Sequence, residues 1–366
     1  MSFNEIKGRF GFGCMRLPMI GDDIDIDQFK KMVDMFMEAG LNYFDTSYMY
    51  HHQKSETALK EALTSRYPRE SYVFADKLSK IMFEKHEDIL PMFEYQLEAT
   101  GAGYFDFYLL HAVNKDIYKA HVECDSFSIL RKLKDEGKIK HIAMSFHDTV
   151  DVLRMILDEQ PDIEMVQLQF NYLDYDSDKV QSRLCYEECV KRGIKVTVME
   201  PVKGGKLMSL PPEAKAVIDE MGNASPASYC IRFCLDHPGI MMVLSGMSDI
   251  SQMEDNLNTY KQYTPLTKEE LDNLHRIVKI VDAINPIDCT GCAYCMEACP
   301  QQIPIPNIFR YYNEEAKFST GKRPIRSHRE AVAKANGCLD CGACEAICPQ
   351  HLSIRELFKE CLKAFE

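Results

Sequence analysis

The sequence predicts an α/β protein in two parts, a (β/α)8 TIM barrel over residues 1–284 and a smaller, mainly α-helical domain over residues 285–366. Three observations predict it. Eight short runs rich in β-branched and aromatic residues alternate with eight segments of helical spacing in the first 284 residues. A length of 366 residues suits two or three domains. Eight of the 15 cysteines fall between Cys289 and Cys348, which sets the tail apart by composition.

The elements follow in pairs. Phe10–Leu17 precedes a helical pattern at Gln28–Ala39, Leu41–Thr46 precedes Glu56–Arg66, and Tyr72–Lys77 precedes Glu87–Thr100. Phe105–Leu110 is followed by Ser126–Glu136, Ile139–Ser145 by Thr149–Leu157, and Met165–Phe170 by Lys179–Arg192. Ile194–Met199 with Ala227–Asp236, and Met241–Gly246 with Ile250–Tyr260, complete the set. Gly40, Gly101, Gly137 and Gly193 stand where helices would end in a left-handed cap. Continuous apolar strands separated by single helices call for parallel pairing with both faces covered, and eight such units match the barrel. The runner-up, an open doubly wound sheet, calls for a Gly-rich phosphate loop after its first strand. Gly11-Phe-Gly13 has no third glycine at the required offset. The seam falls near Asn285-Pro286, after the amphipathic segment Thr267–Ile284, and no Gly/Ser-rich linker separates the parts.

Composition narrows the function. Hydrophobic residues at 46% can offset ordering entropy, so disorder is excluded as the dominant state. The net charge of −13 argues against a general nucleic-acid binder, and it belongs to residues 1–284, with 33 basic against 46 acidic residues. Apolar runs such as Ile240–Leu244 are too short to span a bilayer, and the first ten residues carry no signal-peptide core. A cytoplasmic location is expected. There the thiols stay reduced, so 15 cysteines do not imply a disulfide framework.

In such a barrel, chemistry sits at the C-terminal ends of the strands. Those ends carry Asp45 after strand 2, Lys77 at the end of strand 3 and His111 just past strand 4, with Tyr50 in the loop beyond Asp45. Together they form an acid–base constellation. A phenol near pKa 10 is a weak acid at neutral pH; a neighbouring Lys lowers that value, and a carboxylate keeps the Lys charged and oriented.

The segments Asn42–Tyr50, Phe74–Lys77 and Phe107–His111 resemble the signature segments of the aldo-keto reductases. The resemblance implies Tyr50 as proton donor to a substrate carbonyl, Lys77 as the residue tuning it, Asp45 as the partner of Lys77, and His111 as the residue orienting the carbonyl oxygen. It also implies Ser145 and Gln167 at a nicotinamide carboxamide, Met199 on the face of that ring and Asn256 at the adenine end. Some positions depart from the family pattern. His51-His52 stands where a Gly is usual, Phe146 where an Asn is usual, and Met199 where an aromatic ring is usual. Ser245–Asp249 and Gln252 hold none of the cations that usually grip a 2′-phosphate. NADH, NADPH, a flavin or no nicotinamide all remain open. Cys185/Cys189 and Cys230/Cys234 read as buried small hydrophobes, Cys14 as a packing residue at the barrel mouth, and His51 and His52 as loop residues.

In the tail, Cys289-x2-Cys292-x2-Cys295-x3-Cys299-Pro300 recurs 49 residues on as Cys338-x2-Cys341-x2-Cys344-x3-Cys348-Pro349. Zinc sites use paired CxxC knuckles. Three closely spaced thiolates and a fourth before Pro instead suit a 4Fe–4S cube, with the fourth ligand supplied by the other repeat. The spacing assigns one cluster to Cys289, Cys292, Cys295 and Cys348, and the other to Cys338, Cys341, Cys344 and Cys299. This resembles a two-cluster ferredoxin, and the helical patterns at Asn307–Phe318 and His328–Asn336 resemble the α-helical ferredoxin-like domains of larger redox enzymes. Seven basic and three acidic residues between Ile303 and Asn336 form a face on which an acidic electron carrier, a ferredoxin or flavodoxin, would dock, or else a solvated face.

The expected function is an iron–sulfur oxidoreductase acting on a small carbonyl or alcohol, with no nucleic-acid or membrane partner. Two alternatives stand beside it. One is an electron-transfer or redox-sensing module whose barrel binds a nicotinamide or flavin without turnover. The other is an ordinary reductase whose clusters are structural staples.

Overall fold

The structure is a computed structural model that describes residues 3–222, 224–318 and 326–365. Eight parallel strands close a barrel: β1 Phe10–Gly13, β2 Tyr43–Asp45, β3 Val73–Leu78, β4 Phe105–Val113, β5 Ile139–Phe146, β6 Met165–Gln169, β7 Lys195–Met199 and β8 Ile240–Gly246. Each pairs with its neighbours in sequence, and β8 closes on β1 through Phe10↔Val243 and Gly13↔Gly246. The (β/α)8 architecture is the predicted one. The helices are α1 Ile26–Glu38, α2 Ser55–Leu59, α3 His86–Thr100, α4 Lys115–Glu123, α5 Ser126–Asp135, α6 Val150–Glu159, α7 Ser182–Lys191, α8 Pro212–Glu220, α9 Pro226–Leu235, α10 Ile250–Lys261 and α11 Lys268–Ala283.

Alternation along the strands organises the interior. Tyr43, Ala75, Phe107, Ala143, Met165, Met242 and Leu244 fill the barrel with Phe3. One or two pleats further on, the same inward rows reach Asp45, Lys77, His111, Ser145 and Gln167. Their outward neighbours Phe44, Phe74 and Leu110 are fully buried in the layer beneath the helices.

Several elements differ from the expectation. Strand β1 stops at Gly13 and turns into a 3₁₀ segment, Cys14–Arg16, because the chain must leave the barrel rim. A two-residue hairpin, Met19–Ile20 with Asp23–Ile24, follows it. Helix α2 ends after five residues and widens into a π turn at Lys60–Thr64. Helix α4, capped by Asn114, escapes the periodicity because only Tyr118 and His121 of its nine residues are buried. His111 lies inside β4 rather than past it, since pairing resumes at Val113↔Phe146 after an irregularity. Ala112, at φ 55, absorbs that irregularity.

Contacts divide the chain into two compact units, Met1–Gly204 with Ala224–Thr267, and Gly205–Asn223 with Lys268–Glu366. The second unit contains α8, α11 and the cysteine-rich segment, with α12 Tyr294–Glu297, α13 Ile305–Phe318, α14 Arg326–Ala335, α15 Ala343–Ala346 and α16 Ile354–Phe365. Ile287, Ile303, Ile305, Ile308, Phe309 and Phe358 form its core. No helix among the described residues is long and apolar enough to cross a membrane.

Candidate active site and cysteine-lined cavities

Lys77 is the centre of the polar group in the barrel mouth. Its side chain has no solvent exposure, and Nζ donates to three acceptors: Asp45 Oδ1 at 2.6 Å, the Thr46 carbonyl at 2.7 Å and the Tyr50 hydroxyl at 3.2 Å. An ammonium has three N–H donors, so every one is used. Asp45 Oδ2 in turn accepts from Gln167 Nε2 at 3.0 Å. Asp45, Tyr50, Lys77 and Gln167 are therefore in direct contact. Burial by itself would depress the Lys77 ammonium; the charge of Asp45 and the contact with Tyr50 outweigh it and hold the group above its ordinary value.

The phenol of Tyr50 behaves differently from the expectation. Burial raises its pKa most, Lys77 pulls it back and Asp45 adds to the rise, so the net shift is upward. The lysine acts in the anticipated direction, but desolvation of a phenolate in this cleft is the larger effect. The group is thus a neutral O–H donor at physiological pH. The Tyr50 loop is held by Ser55, whose Oγ donates to the Cys14 carbonyl at 3.1 Å and meets Thr46 Oγ1 at 2.9 Å. His51, His52 and Gln53 all have positive φ, at 49°, 53° and 71°. Left-handed backbone explains why glycine suits this stretch. Here His51 Nε2 accepts from Leu17 N–H at 2.9 Å and holds the turn. A cleft beside it is lined by Met19, Asp22, Met49, His51, His52 and Lys54.

The ring of His111 lies edge-on to Tyr50, 6.0 Å between centroids. Its Nδ1 sits 2.5 Å from Ser79 Oγ and 3.0 Å from Ser47 Oγ. Burial, with the charges of Lys77 and His147, pushes it down to about 3, so the imidazole is neutral. Ser79 and Ser47 were missed in the sequence. Ser79 was within reach, because it is one pleat beyond Lys77 and must share its inward direction.

The residues expected at a nicotinamide spread along the rim. Ser145 Oγ accepts from Ala112 N–H at 2.7 Å, Asn256 Nδ2 donates to Ser245 Oγ at 3.0 Å, and Met199 ends β7, half-buried. Arg16, also missed, crosses the ends of β7 and β8. A Cβ on Gly204 would stand 2.9 Å from its Nη2, and one on Gly246 would stand 3.2 Å from its Cβ. These two glycines give the arginine its path.

Two cavities gather the cysteines of the second unit. Cys289, Cys292, Cys295 and Cys348 line one, and Cys299, Cys338, Cys341 and Cys344 line the other. Each therefore takes three thiols from one repeat and one from the other. The backbone repeats as well. Gly291 and Asp340, Ala293 and Gly342, Gln302 and His351 are all left-handed, in pairs 49 residues apart. These turns let three closely spaced thiols face one point. Among the described residues, no group of three or more His, Cys, Asp or Glu converges as donors to one metal ion. A cube takes one thiolate at each of four corners, and four thiols lining one cavity are a donor set that fits a 4Fe–4S cluster. Lys322 and Arg323 of the basic stretch lie outside the described residues.

Comparison with known proteins finds two family matches along the chain. Residues 9–279 match the aldo/keto reductase family, and residues 288–352 match a 4Fe–4S dicluster domain. The chain is 26% identical to L-galactose dehydrogenase of Arabidopsis thaliana over 68% of this chain and 82% of that one. It is 25% identical to glyoxal reductase of Bacillus subtilis over 66% and 81%. An aldo-keto reductase from Bacillus halodurans shares the fold with a TM-score of 0.61 at 24% identity, over 74% of this chain and 91% of that one. One from Klebsiella pneumoniae, solved with NADP and acetate, does so at 0.59 and 18%, over 74% and 91%. The chain belongs to the aldo/keto reductase family, as an oxidoreductase whose sequence continues from the barrel into a 4Fe–4S dicluster domain.

Proposed function

We propose that the protein is an iron–sulfur oxidoreductase that reduces a small carbonyl compound or oxidises the corresponding alcohol, with Tyr50 as proton donor. The cavities lined by Cys289, Cys292, Cys295 and Cys348, and by Cys299, Cys338, Cys341 and Cys344, hold one 4Fe–4S cluster each. Residues 1–284 form the catalytic part and residues 285–366 the cluster part, in the cytoplasm. When bound, a nicotinamide (or a flavin in the same cleft) would supply a hydride, and the clusters would supply single electrons from a carrier such as ferredoxin or flavodoxin. Ser145, Gln167, Met199 and Asn256, with Arg16 as a cation, are the residues to hold the nicotinamide cofactor.

The chain's own part is acid–base work. Tyr50 donates its proton to the carbonyl oxygen as charge develops there, and Lys77, already in contact with the hydroxyl, stabilises the phenolate left behind. Asp45 and Gln167 keep the ammonium aimed, and neutral His111, anchored through Nδ1, presents Nε2 to the same oxygen. The contact of the fully buried Lys77 with both Asp45 and Tyr50 carries this reading. Tyr50→Phe tests it. The variant should lose turnover while retaining the absorbance of its clusters, and full activity in that variant overturns the role.

A second reading, an electron-transfer or redox-sensing module without turnover, draws support from the adenine end. Ser248 N–H donates to Gln252 Oε1 and Gln252 N–H donates to Asp249 Oδ1, so this Lys- and Arg-free stretch pairs within itself. A screen of carbonyl compounds with NADH, NADPH or reduced ferredoxin separates the two.

A further inference from the structure

One buried charge cluster has no part in the acid–base step. Alternation along β3 turns Lys77 into the barrel and the preceding residue, Asp76, outward into the layer beneath the helices. That layer is aromatic: Phe74, Phe93, Phe105 and Tyr108 pack with ring centroids 5.1 to 5.6 Å apart. A carboxyl group is out of place there. Asp76 is nevertheless 0% exposed, and Glu56, arriving from α2, is 1% exposed.

The hydrogen bonds of these two side chains converge on the backbone of Lys77. Asp76 Oδ1 accepts the Lys77 N–H at 2.8 Å. Gln96 Nε2 donates both to Glu56 Oε1, at 2.8 Å, and to the Lys77 carbonyl, at 3.2 Å. Tyr108 donates its hydroxyl to Gln96 Oε1 at 2.6 Å, which fixes the amide's orientation. One atom remains: among the described residues, Asp76 Oδ2 has no donor. The Glu56 carboxyl is the other acidic group of this pocket and interacts with that of Asp76. Two carboxylates in contact inside an apolar layer do not both ionise, and a proton held between them is the donor that Oδ2 otherwise lacks. The other titratable groups facing the pair are Lys77 from β3, Asp45 from β2, Tyr108 from β4 and Cys14 from the turn after β1. Tyr108 is committed to Gln96, the Lys77 ammonium has all three donors engaged in the barrel, and the Cys14 thiol donates to the Phe12 carbonyl.

We propose that Glu56 and Asp76 share a single proton at neutral pH and thereby act as positioning residues. Together they clamp the Lys77 backbone from behind, by its N–H and its C=O, and so fix where the ammonium meets Asp45 and Tyr50. Burial raises both carboxyls, Asp76 well above the ordinary carboxylate range and Glu56 to about 7. Loss of the shared proton above neutrality therefore sets two like charges against each other and opens the clamp. The same turn of α2 carries Ser55, which ties the Thr46 and Cys14 segments together, so a shift of Glu56 also reaches the Tyr50 loop. This inference rests on the acid–base reading only for its effect on turnover; the geometry is testable without it.

The experiment uses the full chain, prepared without oxygen, with tyrosine labelled by carbon-13 at Cζ. The Tyr50 resonance is assigned by its loss in Tyr50→Phe. In the wild type this resonance should shift as the pH is raised above neutrality, and an infrared band of a protonated carboxyl should be present at neutral pH and fade over the same range. Glu56→Gln supplies an N–H to Asp76 with no titrating proton, so both the pH-dependent shift and the band should disappear. Glu56→Ala leaves Asp76 unpartnered and should displace the Tyr50 resonance at every pH, with Gln restoring it. Asp76→Asn gives the same result as Glu56→Gln and replaces it if that variant does not fold. Absence of the acid band in the wild type overturns the proposal. So does an unchanged Tyr50 shift in both amide variants. A protein that passes these tests yet turns over no carbonyl would retain the clamp and lose the reductase reading.

Discussion

Replacing Lys77 by Met removes the ammonium while nearly conserving length and apolar volume. The native ammonium satisfies Asp45 Oδ1, the Thr46 carbonyl and the Tyr50 hydroxyl at 2.6, 2.7 and 3.2 Å. In the variant, Asp45, only 3% exposed, retains Gln167 as its donor and has no cation. Stranding one partner of a buried ion pair costs about 3–5 kcal/mol. An exposed pair such as Lys119 with Glu123, at 74% and 63% side-chain exposure, contributes only about 0–1 kcal/mol. Adding Asp45→Asn removes the stranded charge and should return about 2 kcal/mol relative to the single variant, a coupling that a double-mutant cycle isolates. The assay is urea unfolding of the full chain near pH 7, with near-ultraviolet circular dichroism for the tyrosine-rich barrel. Cluster absorbance is read separately, because two units need not unfold together. A Lys77→Met variant within about 1 kcal/mol of wild type would refute the reasoning. Additive losses in the double variant would refute it equally.

Three further outcomes follow from particular contacts. His121 is fully buried and pushed down to about 3 by burial, aided by the charge of Lys80. Its folded value lies below its unfolded one, so its stabilising contribution is complete above about pH 6.5 and falls by about 1.4 kcal/mol per pH unit below it. His121→Gln, which does not titrate, should show a visibly shallower acid loss of stability in a series of melts below pH 6.5. Cys348→Ala should halve the bound iron, and electron paramagnetic resonance should show the surviving signal to be that of the cluster held by Cys299, Cys338, Cys341 and Cys344. Loss of that signal instead would contradict the cross-repeat arrangement. His52 is exposed at φ 53, and a left-handed conformation costs a non-glycine residue about 1–2 kcal/mol. His52→Gly should therefore raise barrel stability by about 1 kcal/mol in urea titrations, less the entropy glycine loses on folding.

Much of the architecture was written in local pattern. The eight apolar runs, the helical spacing between them and the four glycines after helix ends report on residues within one turn or one pleat of each other, and each cap glycine does adopt a positive φ. Elements with few buried residues left little trace. Helix α4 and the hairpin at Met19–Ile20 carry weak apolar stripes, so periodicity could not reveal them. The residues Asp45, Tyr50, Lys77 and His111 were legible because chemistry at strand ends uses ionisable residues that stand out against apolar runs. Ser47, Ser79 and Arg16 were not, since a hydroxyl near a strand end or a cation in a loop is ordinary in a sequence.

What the sequence determined by itself is the barrel, the order of its strands and the two groups of four cysteines, because side-chain period and ligand spacing are properties of the chain. What only the tertiary structure decided is electrostatic. Whether the Tyr50 phenol rises or falls depends on how completely the cleft excludes water relative to how closely Lys77 approaches, and both are distances across strands. The meeting of Asp76 with Glu56, 20 residues apart in sequence and on opposite sides of a strand–helix layer, is likewise set by the closure of the barrel. A desolvation energy depends on everything that surrounds a group, and no window along a chain contains that information.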